Sequence, residues 1–191
     1  MRLAKIAKLV SKARVCDVYG DEHGTGVYIG TGNAIYHVQD LPMPCARDQM
    51  RTMLDIPTKK WEKVSCTIQA SLPPLDMQCV CPGEVQMAEY NLMLGSKYLI
   101  LTAGKSKEKG RLAFVSEELL APVLFGESEY LGYYCRFMAD GAPYIIIKDG
   151  MYTVAAVVPT MVPVAKVAEQ LARLESMCLD EAERNGGGNS E

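Results

Sequence analysis

The sequence is poor in the residues that most often carry chemistry. It has two histidines, His23 and His37, a single tryptophan and three phenylalanines in 191 residues. No run approaches the roughly 20 apolar residues of a membrane-spanning helix, which argues against a membrane partner. The first fourteen residues carry Lys or Arg every few positions, so they lack the unbroken apolar stretch of an export signal. Seven cysteines are an odd number with irregular spacing. Reduced thiols in a cytoplasm are the simplest expectation.

What is present is ordinary globular composition, 49% hydrophobic and 23% charged, with a net charge of −3. The charge is unevenly placed. Residues 1–111 carry a balance of +4 and residues 112–191 a balance of −7. Such asymmetry steers a polyanion to one face or favours head-to-tail self-association.

Hydrophobic periodicity predicts a helix over 2–14, with Leu3, Ile6, Val10 and Ala13 on one face and Lys5, Lys8 and Lys12 on the other. Strands are expected at 15–19, 27–29 and 34–38, the last two flanking the hairpin residues Gly30, Thr31, Gly32 and Asn33. A short helix follows at 47–55, then a strand at 63–70. The prolines of 71–84 indicate a loop. Strands at 97–102 and 111–115 enclose a charged turn, and Ser116 is placed to N-cap a short helix ending near Leu124. Strands at 133–138, 144–147 and 151–158 come next, with Lys148-Asp149-Gly150 as a turn. An amphipathic helix is expected at 164–183 and a polar, glycine-rich disordered tail at 185–191.

Two segments show related patterns. Tyr28, Asn33, Tyr36, Val38 and Pro42 match Tyr144, Asp149, Tyr152, Val154 and Pro159 at nearly equal offsets. Each set follows a helix and a strand bearing Cys16 or Cys135. A duplication and generic hairpin chemistry both account for this. The expected fold class is α+β: two helix-plus-antiparallel-strand units at 1–70 and 97–162, a loop-rich connector at 71–96, a C-terminal amphipathic helix at 163–184 and the tail.

Motifs with chemistry are few. Leu99 to Ser106 ends in Gly-Lys-Ser, but a phosphate loop needs glycine where Leu99 stands and an apolar helix afterwards. Gly24, Gly26, Gly30 and Gly32 lack dinucleotide-fold spacing. Cys79 and Cys81 are one residue apart, too close for a paired zinc knuckle, and are expected to be small buried hydrophobes. No cofactor, metal site or catalytic residue is expected, and the protein is read as non-enzymatic. The candidate binding residues are two basic groups, Lys5, Lys8 and Lys12 on the first helix and Lys105, Lys107, Lys109 and Arg111 on the charged turn. Both suit a phosphate backbone contacted without regard to sequence.

The run from Val27 to Val64, including YIGTGNAIYHVQDLP and DQMRTMLDIPTKKWEKV, resembles small uncharacterised phage and prophage proteins of gut Gram-positive bacteria. More distantly, RLAFVSEELLAPV at 111–123 resembles the strand-into-helix opening of a DNA sliding-clamp repeat. The clamp repeat continues with three strands, which 133–159 supplies. In clamps the helices present basic residues to DNA, a role that fits Lys5, Lys8 and Lys12 but not Glu117 and Glu118. The terminal helix is foreign to clamps. The resemblance implies a phage accessory factor of DNA replication, homo-oligomeric, binding duplex DNA and host or phage replication proteins. The alternative is a phage protein-binding module that occupies a host protein or a virion assembly site.

Overall fold

The structure is a computed structural model, and it describes residues 2–21, 24–94, 98–103, 112–124 and 130–160. The expected C-terminal helix and tail lie outside those residues. Residues 1–160 form one compact unit.

Helix α1 spans Leu3–Ala13 and closes on Arg14, whose left-handed backbone (φ 60°) returns its N–H to the Val10 carbonyl at 2.8 Å. Ile6, Ala7, Leu9 and Val10 are its buried residues. Ala13, expected on the apolar face, is exposed, so the buried stripe is centred nearer Ala7. Three antiparallel strands follow: β1 (Val15–Gly20), β2 (Gly26–Gly30) and β3 (Ala34–Gln39). The β2–β3 turn falls where the glycine pattern places it, with Gly32 at φ 82°.

After β3 come α2 (Arg47–Met53) and α3 (Thr58–Trp61), then β4 (Ser65–Gln69). The helical crossover returns the chain in the direction of β1, so β4 pairs with β1 in parallel. This corrects the expectation of purely antiparallel units. The crossover carries α2 and α3 and buries Met50 and Trp61, and a crossover of this length joins parallel strands.

The connector also differs from expectation. Its second half is strand β5 (Val85–Leu94), which pairs with β6 (Tyr98–Ala103) on one side and β8 (Leu131–Phe137) on the other. Strand β7 (Leu112–Ser116) leads into α4 (Glu117–Leu120). Ser116 stands at the N-cap position without a side-chain capping bond. Strands β9 (Pro143–Asp149) and β10 (Tyr152–Val157) complete the sheet.

All ten strands form one sheet in the order β4-β1-β2-β3-β10-β9-β8-β5-β6-β7. Strand β3 pairs with β10, Tyr36 opposite Ala155, so the strands of the two expected units share that sheet. The order helix, strand, strand, strand occurs on both sides of this pair, as α1-β1-β2-β3 and α4-β8-β9-β10. The residue correspondence read from the sequence is only partly kept. Tyr28 and Tyr144 pack in the same cluster, whereas Tyr36 is fully buried and Tyr152 is 67% exposed. A register shift in β10 between Thr153 and Ala155 separates the two hairpins at this point.

The sheet is covered on two sides. Ile6, Leu9 and Val10 of α1, Met50, Trp61 and Leu120 pack with Val18, Ile29, Tyr36, Ile145 and Ile147 in the larger core. Tyr28, Ile35, Tyr144 and Ile146, which alternate with these along the strands, pack under Leu75 and Met77 of the connector. Double coverage explains why β2 is buried at every position instead of alternating. The sheet also curls: Thr160, just beyond β10, donates its N–H to the Phe114 carbonyl of β7 at 2.8 Å.

Candidate nucleic-acid interface

The helical side carries the cations. Lys5, Lys8 and Lys12 are all exposed on α1, as its periodicity predicts. Lys12 is engaged: its Nζ pairs with the Glu118 carboxylate of α4. Glu118 is there because α1 and α4 lie side by side, tied also by the Arg2 N–H to the Pro122 carbonyl at 3.1 Å. An exposed pair of this kind contributes little stability, but it offsets part of the positive charge of α1. Lys105, Lys107, Lys109 and Arg111 lie outside the described residues.

The fold adds cations that sequence reasoning missed. An open groove of about 550 Å³ runs between α1 and the α2–α3 segment. Lys8, Lys12 and Arg14 line one wall, Lys60 and Lys63 the other, and Asp55 is the single acid. Lys60 and Lys63 are set by their neighbours Trp61 and Val64, each only 3% exposed, which anchor the segment in the core. The signal available in the sequence was the run Lys59-Lys60-Trp61-Glu62-Lys63-Val64, in which two apolar anchors stand among three cations. Arg47 takes no part in the groove. Its Nη2 donates to the Trp61 and Val64 carbonyls at 2.8 Å each, and its guanidinium lies 5.6 Å from the Trp61 ring.

The opposite side holds a second cavity of about 550 Å³, between the connector and the strands. His37 stacks on Tyr28 there, with ring centroids 4.6 Å apart. Its Nε2 lies 3.9 Å from Asp21 Oδ2, and that carboxylate accepts from Thr25 N and Oγ1. Burial lowers the His37 pKa and the Asp21 charge opposes the shift. Cys79 and Cys81 are partly exposed on the connector rather than buried. The connector is a surface strap, so only some of its side chains reach the sheet; Cys79 instead donates its thiol to the Met151 carbonyl.

A buried ionic cluster fastens this strap. Arg136 donates from Nε and Nη2 to Glu84, and from Nη1 and Nη2 to the carbonyls of Asp76 and Gln78. Lys148 donates to the other oxygen of Glu84 and lies 3.9 Å from the Tyr134 ring centroid. All the donors named here point at groups within the chain, which makes this cluster an architectural device.

Among the described residues, no three His, Cys, Asp or Glu side chains are grouped to hold a metal ion. Among the same residues, no helix is long and apolar enough to cross a membrane. The chain matches no family model, no curated protein and no solved structure.

Proposed function

We propose that this chain binds duplex DNA through its helical side, without reading base sequence, as an oligomeric accessory factor of phage DNA replication related in plan to sliding clamps. One observation carries the reading: the groove between α1 and α2–α3, lined by Lys8, Arg14, Lys60 and Lys63, by Lys12, which is paired with Glu118, and by one acid, Asp55. Clustered lysines and arginines on one side of a domain are the electrostatic footprint of phosphate-backbone binding. The helix-then-three-strands order on either side of the β3–β10 pair supports the clamp-like plan.

The test is duplex binding by fluorescence anisotropy across a salt series. Backbone binding gives a linear fall of log affinity with log salt, about 0.9 per phosphate neutralised. Charge reversal at Lys5, Lys8, Lys60 and Lys63 together abolishes binding; wild-type affinity in that variant refutes the reading. Light scattering with and without duplex reports the assembly. A discrete ring-sized oligomer supports the clamp-like plan, and a monomer indifferent to DNA removes it.

A second reading is a module that docks on a host or virion protein. It is favoured by the exposed apolar side chains Leu72, Met151 and Tyr152 (52%, 75% and 67% exposed) at the connector-side cavity. That reading expects no DNA affinity at any salt concentration.

A further inference from the structure

Cys16 and Cys66 stand directly opposite each other in the parallel pairing of β1 and β4. Opposed residues on neighbouring strands lie about 4.8 Å apart, inside the roughly 4.4–6.8 Å that a disulfide spans between Cα atoms. Both side chains belong to the helical side of the sheet. Cys16 is fully buried in the core, and Cys66 packs against that core while remaining partly exposed. Strand β4 is an edge of the sheet, so Cys66 is the member of the pair that solvent can reach.

The two thiols are chemically unequal. Cys16 shares a hydrogen bond with Cys66, and this contact is the main cause that lowers the Cys66 pKa; the Arg47 guanidinium adds to it, while burial and Asp17 oppose. The same contact, reinforced by burial, raises Cys16. The Cys66 thiol is therefore the more acidic of the two, and Cys16 the less. A partly exposed thiol of lowered pKa, beside a cation and a second thiol, is the arrangement that reacts with hydroperoxides.

We propose that Cys66 and Cys16 form a hydroperoxide-reactive pair, Cys66 being attacked first and Cys16 resolving the product into a disulfide between β1 and β4. In the first step the Cys66 thiolate attacks the terminal peroxide oxygen. The S–O bond forms, the O–O bond breaks, and the alkoxide or hydroxide leaves and takes a proton from solvent. In the second step Cys16 attacks the Cys66 sulfenyl sulfur and its proton passes to the departing oxygen. The S–S bond forms, the S–O bond breaks and water leaves. Two thiols lose two electrons, and one hydroperoxide is reduced to an alcohol (or water) and water. The product ties the edge strand β4 covalently to the sheet at the base of the α2–α3 segment.

The test is peroxide treatment of the full-length native chain, followed by peptide mapping under non-reducing conditions. The expected result is a Cys16–Cys66 linked peptide and a loss of two hydrogens per chain, formed ahead of oxidation at the exposed Cys45. In Cys16→Ala the second step is blocked, and a dimedone adduct accumulates on Cys66. Two results overturn the proposal: oxidation of Cys45, Cys79 or Cys81 while Cys16 and Cys66 remain reduced, or a folded Cys16→Ala chain that gives no adduct on Cys66. The wild-type mapping needs no variant, so it decides the matter even if Cys16→Ala fails to fold.

Discussion

Arg136 and Glu84, 52 positions apart in the chain, meet through two hydrogen bonds of 2.9 and 2.6 Å to one carboxylate oxygen. Lys148 takes the other oxygen. Arg136 and Lys148 are 3% and 6% exposed, so their charges have almost no water to fall back on. The pair joins β8 to the residue that precedes β5, and the Arg136 bonds to the Asp76 and Gln78 carbonyls draw the strap onto the sheet.

Removing the shared acid should therefore be costly. Glu84→Gln leaves Lys148 without its carboxylate and Arg136 with only the exposed Asp76 carboxylate at 3.7 Å, and breaking a buried pair in this way costs about 3–5 kcal/mol. Urea unfolding is expected to show that loss as a lower midpoint with an unchanged slope. A shift within experimental error would mean that the cluster does not hold the strap.

The same acid predicts a pH dependence. Burial acts to raise the Glu84 pKa, but the hydrogen bonds from Lys148 and Arg136 and their charges outweigh it, and the net shift is downward from 4.5. A depressed carboxylate contributes stability that is fully present above its unfolded value and is lost as pH falls through the folded value. Unfolding free energy should thus decline as pH drops below about 4.5, and Glu84→Gln should flatten that part of the curve.

His37 titrates with the same sign by a different cause. Burial lowers its pKa below 6.5, while Asp21 pulls it back. The neutral ring is the form the fold favours, so its contribution is present above the unfolded value and is lost as pH falls through the lower folded value. An NMR titration of the ring is expected to give a midpoint below 6.5. In Asp21→Asn the midpoint moves lower still. A midpoint above 6.5 would show that the Asp21 contact dominates burial.

Tyr36 ties the centre of the sheet to α4. Its hydroxyl donates to the Leu119 carbonyl at 2.7 Å. Tyr36→Phe keeps the ring in the core and leaves that carbonyl without its donor, at a cost of about 1–2 kcal/mol. Thermal and urea melts of the single variant measure it. Because α4 also carries Glu118, the partner of Lys12, the variant should loosen that ion pair as well.

Much of this architecture was legible locally. The Gly32-Asn33 turn, the α1 periodicity with exposed Lys5 and Lys8, and the β9–β10 hairpin follow from backbone preferences and apolar spacing within a dozen residues. Strand β5 was hidden because it follows Pro73, Pro74 and Pro82, which made the whole connector read as loop, and because its partners β6 and β8 come later in the chain. The parallel placement of β4 was equally hidden, since the direction of a strand is set by the crossover before it. Of the candidate interface, α1 was readable and the opposite wall was not: Lys60 and Lys63 acquire meaning only when Trp61 and Val64 seat them across from Lys8 and Arg14.

The sequence by itself determined the elements whose causes are short-range: the amphipathic α1, the hairpin turns and an apolar content sufficient for a core. Tertiary structure alone decided which residues meet over long separations. It joined β3 to β10, brought Glu84 between Arg136 and Lys148, set Glu118 against Lys12 and placed Cys16 opposite Cys66. Each of those relationships depends on strand order and register, which arise from burying both sides of one curled sheet and leave no periodic trace in the chain.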